Sequence, residues 1–276
     1  MAADWYREEW ADAGAALSLS VAEKLADQQS DYQRVEVFQT THFGKLLTLD
    51  GLVMLTERDH FIYHEMLAHP ALFTHPTPRK VAIVGGGDCG LLTEVLKHDS
   101  VETVTQIEID PAVTEVALHH FPDFAAAKQD PRAQLRFIDG AAWVKEMPDA
   151  ALDVLLIDST DPIGPAAQLF EQPFLEQCHR ALGRNGILAM QSESPLFHAD
   201  LIRTLWSDLR ACGWRNVATL SFPQCSYPSG WWSVTLAGDR DLDEWRSLPS
   251  AVATRYYTDA IHQGARALPR FLLDDS

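Results

Sequence analysis

From residue 81 onward, short apolar runs alternate with longer stretches of helical spacing. Val81 to Val84 has the unbroken apolar character of a parallel strand buried on both faces. Leu91, Leu92, Val95 and Leu96 then fall on one helix face. Val104 to Ile109 predicts a second strand, and Asp110-Pro111 opens a second helix, because the fixed φ of proline suits a first turn. Leu135 to Ile138 and Leu152 to Ile157 predict a third and a fourth strand. A helix is predicted over Leu169 to Leu182, a turn at Asn185-Gly186, a fifth strand over Ile187 to Met190 and a further helix over Leu196 to Cys212. Val217 to Leu220 and Trp232 to Leu236 read as closing strands that could pair antiparallel. Strand and helix in alternation argue for a Rossmann-like, doubly wound α/β sheet with helices on both faces.

The first 75 residues carry a different pattern. Arg34 to Phe38 alternates polar and apolar, as a half-buried strand does. Lys45 to Leu49, Asp50-Gly51 and Leu52 to Leu55 form a hairpin signature, since Asp-Gly accepts the positive φ angles of a tight primed turn. Phe61 to Leu72 returns to helical spacing, and His75-Pro76-Thr77-Pro78 interrupts it. The expected organisation is a small antiparallel β domain over residues 1–76 and a nucleoside-binding catalytic domain over 77–276.

Composition narrows the partners. The formal net charge is -17, the wrong sign for a phosphate-backbone ligand, so nucleic acid is not expected. Such a field attracts cations and polycations, and it also serves solubility alone. No two of Cys89, Cys178, Cys212 and Cys225 form C-x-x-C, so neither a zinc ribbon nor a dithiol motif is expected. Met1 to Trp10 lacks a basic start followed by an apolar run, and no apolar stretch approaches the ~20 residues that cross a bilayer. The expectation is a cytoplasmic protein without a membrane partner.

The first predicted strand runs into Gly85-Gly86-Gly87-Asp88-Cys89-Gly90, in which Gly85, Gly87 and Gly90 satisfy G-x-G-x-x-G. Glu108 closes the second strand about 20 residues on, where an acid binds ribose hydroxyls. Together they predict an adenosine-containing ligand. The glycines alone fit a nicotinamide cofactor as well as a sulfonium nucleoside. Asp88 tilts the balance, because a carboxylate inside the loop repels a pyrophosphate and suits a cationic arm. Asp139-Gly140-Ala141 follows the third strand; Asp139 there can accept from an adenine amino group, cap the next helix, or do both. Asp158-Ser159-Thr160-Asp161-Pro162-Ile163-Gly164-Pro165 follows the fourth strand. Ligands of open α/β sheets bind beyond the strand carboxyl ends, and two carboxylates three residues apart there suit a diamine. One of them can serve as a base.

With these residues in view, the chain resembles the spermidine synthases, the polyamine aminopropyltransferases. The matching stretches are Thr56 to Asp59, Tyr63 to Met66, Val84 to Asp88, Val101-Glu102 with Glu108 to Asp110, Asp139-Gly140, Asp158 to Pro165 with Leu169-Phe170, and Tyr227 to Gly230. They keep family order from about residue 5 to 240. The resemblance implies a methyltransferase-type Rossmann-like sheet. It implies transfer of the aminopropyl group of decarboxylated S-adenosylmethionine to putrescine, giving spermidine and methylthioadenosine. Gln33 and Glu108 would hold the ribose, and Asp139, Gly140 and Ala141 would address adenine. Gly85 and Gly87 would let the donor approach, with Asp88 and His64 facing its aminopropyl arm. Asp158 would be the base, with Tyr63 beside it. Asp161, Tyr227 and Trp232 would line the diamine channel, with Gln191 near the acceptor. The donor would be a co-substrate and no cofactor would be needed. The family is dimeric or tetrameric, so a homodimer or homotetramer is expected.

Four departures from the family pattern stand out. Met54 replaces a frequent Gln, His60 a frequent Glu, and Cys89 a usual Gly, while Gln224-Cys225-Ser226 replaces a threonine-rich approach to Tyr227. His60 and His64 are four apart, and His64 to His69 is close to H-E-x-x-H but one residue too long. On a helix its two histidines point about 140° apart, so no metal site is expected. Trp5, Trp10, Trp143, Trp206 and Trp214 are expected in the core or at an interface. The competing readings are a diamine methyltransferase using ordinary S-adenosylmethionine, a noncatalytic scaffold and a nicotinamide dehydrogenase.

Overall fold

The structure is a computed structural model that describes residues 4–162 and 164–273. Ile163, inside the expected Asp158-to-Pro165 motif, lies outside the described residues. The chain opens with five antiparallel strands in sequential order: β1 (Asp4–Trp10), β2 (Ala15–Gln29), β3 (Arg34–Thr40), β4 (Lys45–Leu49) and β5 (Leu52–Thr56). The β4–β5 turn is the expected one, with Asp50 at φ 50° and Gly51 at φ 80°. β1 and β2 are not among the expected strands. Leu17 to Val21 of β2 does alternate apolar and polar and could have marked the strand, whereas its second half, from Ala22 to Gln29, is largely solvated and carries no such pattern.

Helix α1 (His60–Thr74) follows, buried along its whole length from Tyr63 to Thr74. The second sheet is built from β6 (Lys80–Gly85), α2 (Gly90–Leu96), β7 (Thr103–Glu108), α3 (Pro111–His120), α4 (Ala125–Gln129), β8 (Ala133–Phe137), α5 (Gly140–Glu146), β9 (Val154–Asp158), α6 (Gln172–Leu182), β10 (Ile187–Gln191), α7 (Ala199–Ala211), β11 (Asn216–Pro223) and β12 (Trp231–Gly238). Its strand order is β11-β12-β10-β9-β6-β7-β8. β6 to β10 run parallel, and β12 lies antiparallel between β10 and β11. Two short helices, α8 (Asp259–Ala265) and α9 (Arg270–Leu273), end the described chain. Two expected helices are corrected. Leu169 to Leu182 is broken at Glu171 into a 3-10 turn over 164–170 and α6, and Leu196 to Cys212 starts only at Ala199. In both, apolar spacing ran on through a non-helical approach, and spacing does not mark an end.

The period of two explains why the strands read as unbroken apolar runs. Val81, Ile83, Val154 and Leu156 join the core that holds α1, α2 and the inner face of the N-terminal sheet. Their neighbours Ala82, Val84, Leu155 and Ile157 join the opposite core under α5, α6 and α7. Both faces are covered, so neither can be polar. Trp214 is buried, whereas Trp5 on the edge strand β1 is 62% exposed. Leu72, at the centre of the first core, is fully buried. Leu72→Ala should therefore lower unfolding free energy by about 2–5 kcal/mol, read as a drop in the denaturant midpoint with unchanged slope.

Candidate active site

Strand order reverses between β6 and β9, where β7 and β8 continue to one side and β10 to the other. A doubly wound sheet opens a crevice at that point, beyond the strand carboxyl ends. The chain there depends on glycine. Gly85 has φ 85°, and a Cβ on it would meet the Asp158 carbonyl oxygen at 2.0 Å. The Gly86 N–H donates to that carbonyl at 2.9 Å, sewing the glycine loop to the end of β9. A Cβ at Gly90 would strike the His64 ring at 2.0 Å, so α1 lies directly against the start of α2. Cys89, between them, has φ 67°, a left-handed conformation that favours glycine.

The crevice is a cavity of about 320 Å³, walled by the glycine loop, the ends of β7, β9 and β10, the β4–β5 hairpin and Tyr227 to Trp232. Seven of its lining residues carry carboxyl groups, namely Glu8, Asp50, Asp88, Glu108, Asp139, Asp158 and Asp161, and none is Lys or Arg. Such a wall selects for cations.

At one end, Glu108 accepts from the Asp110 N–H at 2.9 Å, and burial pushes its carboxyl up to about 7. Gln33 lines the same end and donates to Asp110 at 3.1 Å. The Asp110 carboxylate also accepts from Ser30 and caps α3, so the N-terminal sheet meets the Rossmann-like sheet at this carboxylate. Asp139 and Gly140 line the cavity, and Asp139 also caps α5 by accepting from the Ala142 N–H at 2.8 Å. Ala141 is not among the lining residues.

In the middle stand Asp88, Asp158 and Tyr63. The Tyr63 hydroxyl donates to Asp158 Oδ1 at 2.6 Å, while Oδ2 takes no hydrogen bond from the described residues. Burial first, then the Asp88 carboxylate, pushes Asp158 up to about 6, against the opposing pull of His64 and the Tyr63 hydroxyl. His64 lies behind Asp88 rather than on the cavity wall, with Nε2 3.6 Å from Asp88 Oδ1. Burial disfavours charge on both, but their mutual attraction prevails: Asp88 is held below its ordinary value and His64 raised above its own. His60 packs at a tilt beside His64 and is pushed down to about 3 by burial and by that neighbour. His69 turns away to Glu94 and His98, so the two histidines of the near-motif do not converge.

At the far end, Asp161, Gln191, Tyr227 and Trp232 all line the cavity, as do Gly85 and Gly87 nearer the loop. Tyr227 packs edge-on to both Tyr63 and Trp232 and donates to the Met54 carbonyl at 2.5 Å. Its loop is held by Asp59, which accepts from the Ser226 N–H and the Cys225 thiol. Two acids here were missed in the sequence. Glu8 comes from the unrecognised β1, and its alternation with Glu9 gave no sign of which faces inward. Glu193, at φ 68°, receives the Gln191 amide at 3.3 Å and stands 3.1 Å from His198. Its position two residues past a strand end could have marked it. Burial first, then Glu193, pushes Asp161 up to about 7.

Comparisons with known proteins place the chain among its relatives. Residues 60–244 match the spermine/spermidine synthase domain, and residues 4–57 the spermidine synthase tetramerisation domain. The chain is similar to a polyamine aminopropyltransferase of Methylococcus capsulatus, 51% identical over 276 residues covering 99% of this chain and 97% of the relative. It is similar to another of Halorhodospira halophila, 52% identical and covering 97% and 98%. Among solved structures, a spermidine synthase in complex with the transition-state analogue AdoDATO superposes with a TM-score of 0.92 at 35% identity, covering 97% of this chain and 93% of the other. The spermidine synthase of Thermotoga maritima gives 0.90 at 35% identity, covering 97% and 92%.

The pocket carboxyls carry a stability cost with a definite sign. Glu108, Asp158 and Asp161 hold protons in the folded, ligand-free protein up to about 6 or 7, whereas the unfolded chain releases them near 4. The folded state binds more protons in that window, so stability falls as pH rises through it. Asp161→Asn should therefore raise the ligand-free Tm, by more at pH 8 than at pH 5, and on the order of 2–4 °C per kcal/mol relieved. Calorimetry at the two pH values checks this; an equal shift at both would show that the carboxyl is not desolvated.

Proposed function

The chain belongs to the spermine/spermidine synthase family, and from that membership and its pocket we propose how it carries out polyamine aminopropyl transfer. The donor is decarboxylated S-adenosylmethionine and the acceptor a diamine, for which we propose putrescine. The reaction forms a bond between the acceptor nitrogen and the aminopropyl methylene carbon that is bonded to sulfur. The carbon–sulfur bond breaks, and its electron pair leaves on sulfur as methylthioadenosine. The sulfonium activates that carbon itself, so the reaction as proposed needs no cofactor or metal.

The observation that carries the reading is the placement of Asp158. It lines a cavity walled by carboxylates, its Oδ1 is held by Tyr63, and its buried Oδ2 has no partner among the described residues. The acceptor nitrogen arrives as ammonium and must lose a proton before attack, and a fixed carboxylate oxygen receives it. In this proposal Glu108 and Gln33 take the ribose, and Asp139, Gly140 and Ala141 take the adenine. Ala141 does so through its backbone at the start of α5, as its side chain stands off the wall. Asp88, charge-balanced by His64 behind it, faces the donor's ammonium. Asp161, Gln191, Tyr227 and Trp232 frame the acceptor chain, whose aliphatic carbons suit the aromatic edges. Gly85 and Gly87 leave room for the nucleoside. The nearest alternative, methyl transfer from ordinary S-adenosylmethionine, would bring the donor carboxylate against Asp88.

Assembly belongs to the same proposal. We place a homodimer or homotetramer contact on the N-terminal sheet, where the edge strand β1 exposes Trp5. A cytoplasmic setting completes it; no helix of the described residues is long and apolar enough to cross a membrane.

Mass identification of products from decarboxylated donor and a panel of putrescine, cadaverine, agmatine and spermidine should show spermidine as the main product. Turnover of the carboxylated donor alone would overturn the reading. Asp158→Asn should lower kcat by about 10²–10⁴-fold while donor binding persists. The wild-type rate should fall as pH drops through about 6 or slightly below, since the bound cations favour the ionised carboxylate. Asp88→Asn should narrow the preference for decarboxylated over ordinary donor, measured as a ratio of kcat/KM values; an unchanged ratio would place selectivity elsewhere.

A further inference from the structure

Tyr63 and Glu65 are two apart on α1, about 200° around the helix, so they face opposite ways. Tyr63 reaches the cavity. Glu65 points to the far side and is fully buried, and no ion pair forms on it among the described residues. Its carboxylate instead receives three consecutive backbone N–H groups: Arg255 at 2.7 Å, Tyr256 at 2.8 Å and Tyr257 at 2.7 Å. These belong to the stretch after β12, which crosses the outer face of α1 with little regular structure and lies past residue 244, where the family domain match ends. The same stretch grips the end of the helix. The Arg246 guanidinium donates to the carbonyls of Leu72 and His75, and its N–H donates to that of Phe73. Tyr257 stacks on Phe73, and the Arg255 guanidinium sits 3.7 Å over the Phe61 ring.

Burial holds α1 in depth but has no direction, so its rotation rests on its polar contacts: His64 with Asp88, His69 with Glu94 and His98, and Glu65 with the C-terminal stretch. Charge-assisted hydrogen bonds are directional and do fix it. For depth alone an apolar side chain would serve as well and would avoid desolvating a carboxylate. We infer that the C-terminal stretch acts through Glu65 and Arg246 as a clamp that, together with the His64 and His69 contacts, sets the rotation of α1 and thereby aims the Tyr63 hydroxyl at Asp158. Glu65 is thus a positioning residue. It touches no substrate and works through Tyr63, and the inference rests on Asp158 as the base.

The test is a double-mutant cycle with kcat–pH profiles for the wild type, Glu65→Gln, Tyr63→Phe and the double variant. Gln keeps the shape but points N–H groups at N–H donors. Glu65→Gln should lower kcat on the order of tenfold, with acceptor and donor KM within about twofold. It should also move the acid limb of kcat upward, because Asp158 loses the hydroxyl that favours its ionised form. In the Tyr63→Phe background the same substitution should change neither kcat nor the limb. Independent, multiplicative losses, or a lower Tm with an unmoved limb, would overturn the inference. If Glu65→Gln does not fold, Arg246→Gln is read in the same cycle against the same outcomes. Near-normal turnover by Asp158→Asn would instead refute the base assignment, and the Tyr63–Glu65 coupling would still be measured on kcat.

Discussion

The site depends on how closely β6 and β9 can approach at their carboxyl ends. Only a residue without a Cβ fits at Gly85, because the Asp158 carbonyl occupies the place a side chain would take. The Gly86 N–H then bonds that same carbonyl. This one contact brings the glycine loop and the fourth strand's aspartates, 70 residues apart in sequence, to a common cavity. Asp88 hangs from one side of it and Asp158 from the other, and Tyr63 reaches between them from α1. A bulkier loop would part the strands and separate the donor's side of the pocket from the base.

The second governing feature is charge. The pocket concentrates carboxyl groups where desolvation disfavours them; Asp88 has a built-in counter-charge in His64, and Glu193 at the acceptor end has His198. The others lie ready for cations that arrive with the substrates. A cationic donor and a cationic acceptor relieve the repulsion that the empty pocket sustains, so stability given up in folding reappears as binding. The raised values of Asp158, Asp161 and Glu108 share one leading cause, burial. Their differences come from which neighbour stands closest.

Local sequence settled a good part of this. The apolar runs at Val81 to Val84 and Val154 to Ile157 predicted strands covered on both faces, because a side chain buried either way must be apolar. Asp50-Gly51 predicted its turn because few residue pairs accept two positive φ angles. The glycine loop, Asp88, Glu108 and the Asp158–Asp161 pair were legible because their chemistry is carried by residue type at strand ends, where ligands of such sheets bind. β2 was missed although Leu17 to Val21 alternates; its solvated second half leaves no pattern, and β1 went unread with it. The helix starts near Leu169 and Leu196 were placed too early for a related reason: apolar spacing begins before the first α-helical turn.

Tertiary structure alone decided what distance and burial decide. It placed His64 behind Asp88 as its counter-charge, turned His69 away from His64, and brought Glu8 and Glu193 to the acceptor end. It also tied the C-terminal stretch to Glu65. Each of these joins residues far apart in the chain, or selects between faces of one element, and no local pattern encodes a through-space neighbour. The sequence by itself determined which groups are present and on which kind of element; the packing of α1 between two sheets and a C-terminal strap determined which groups meet.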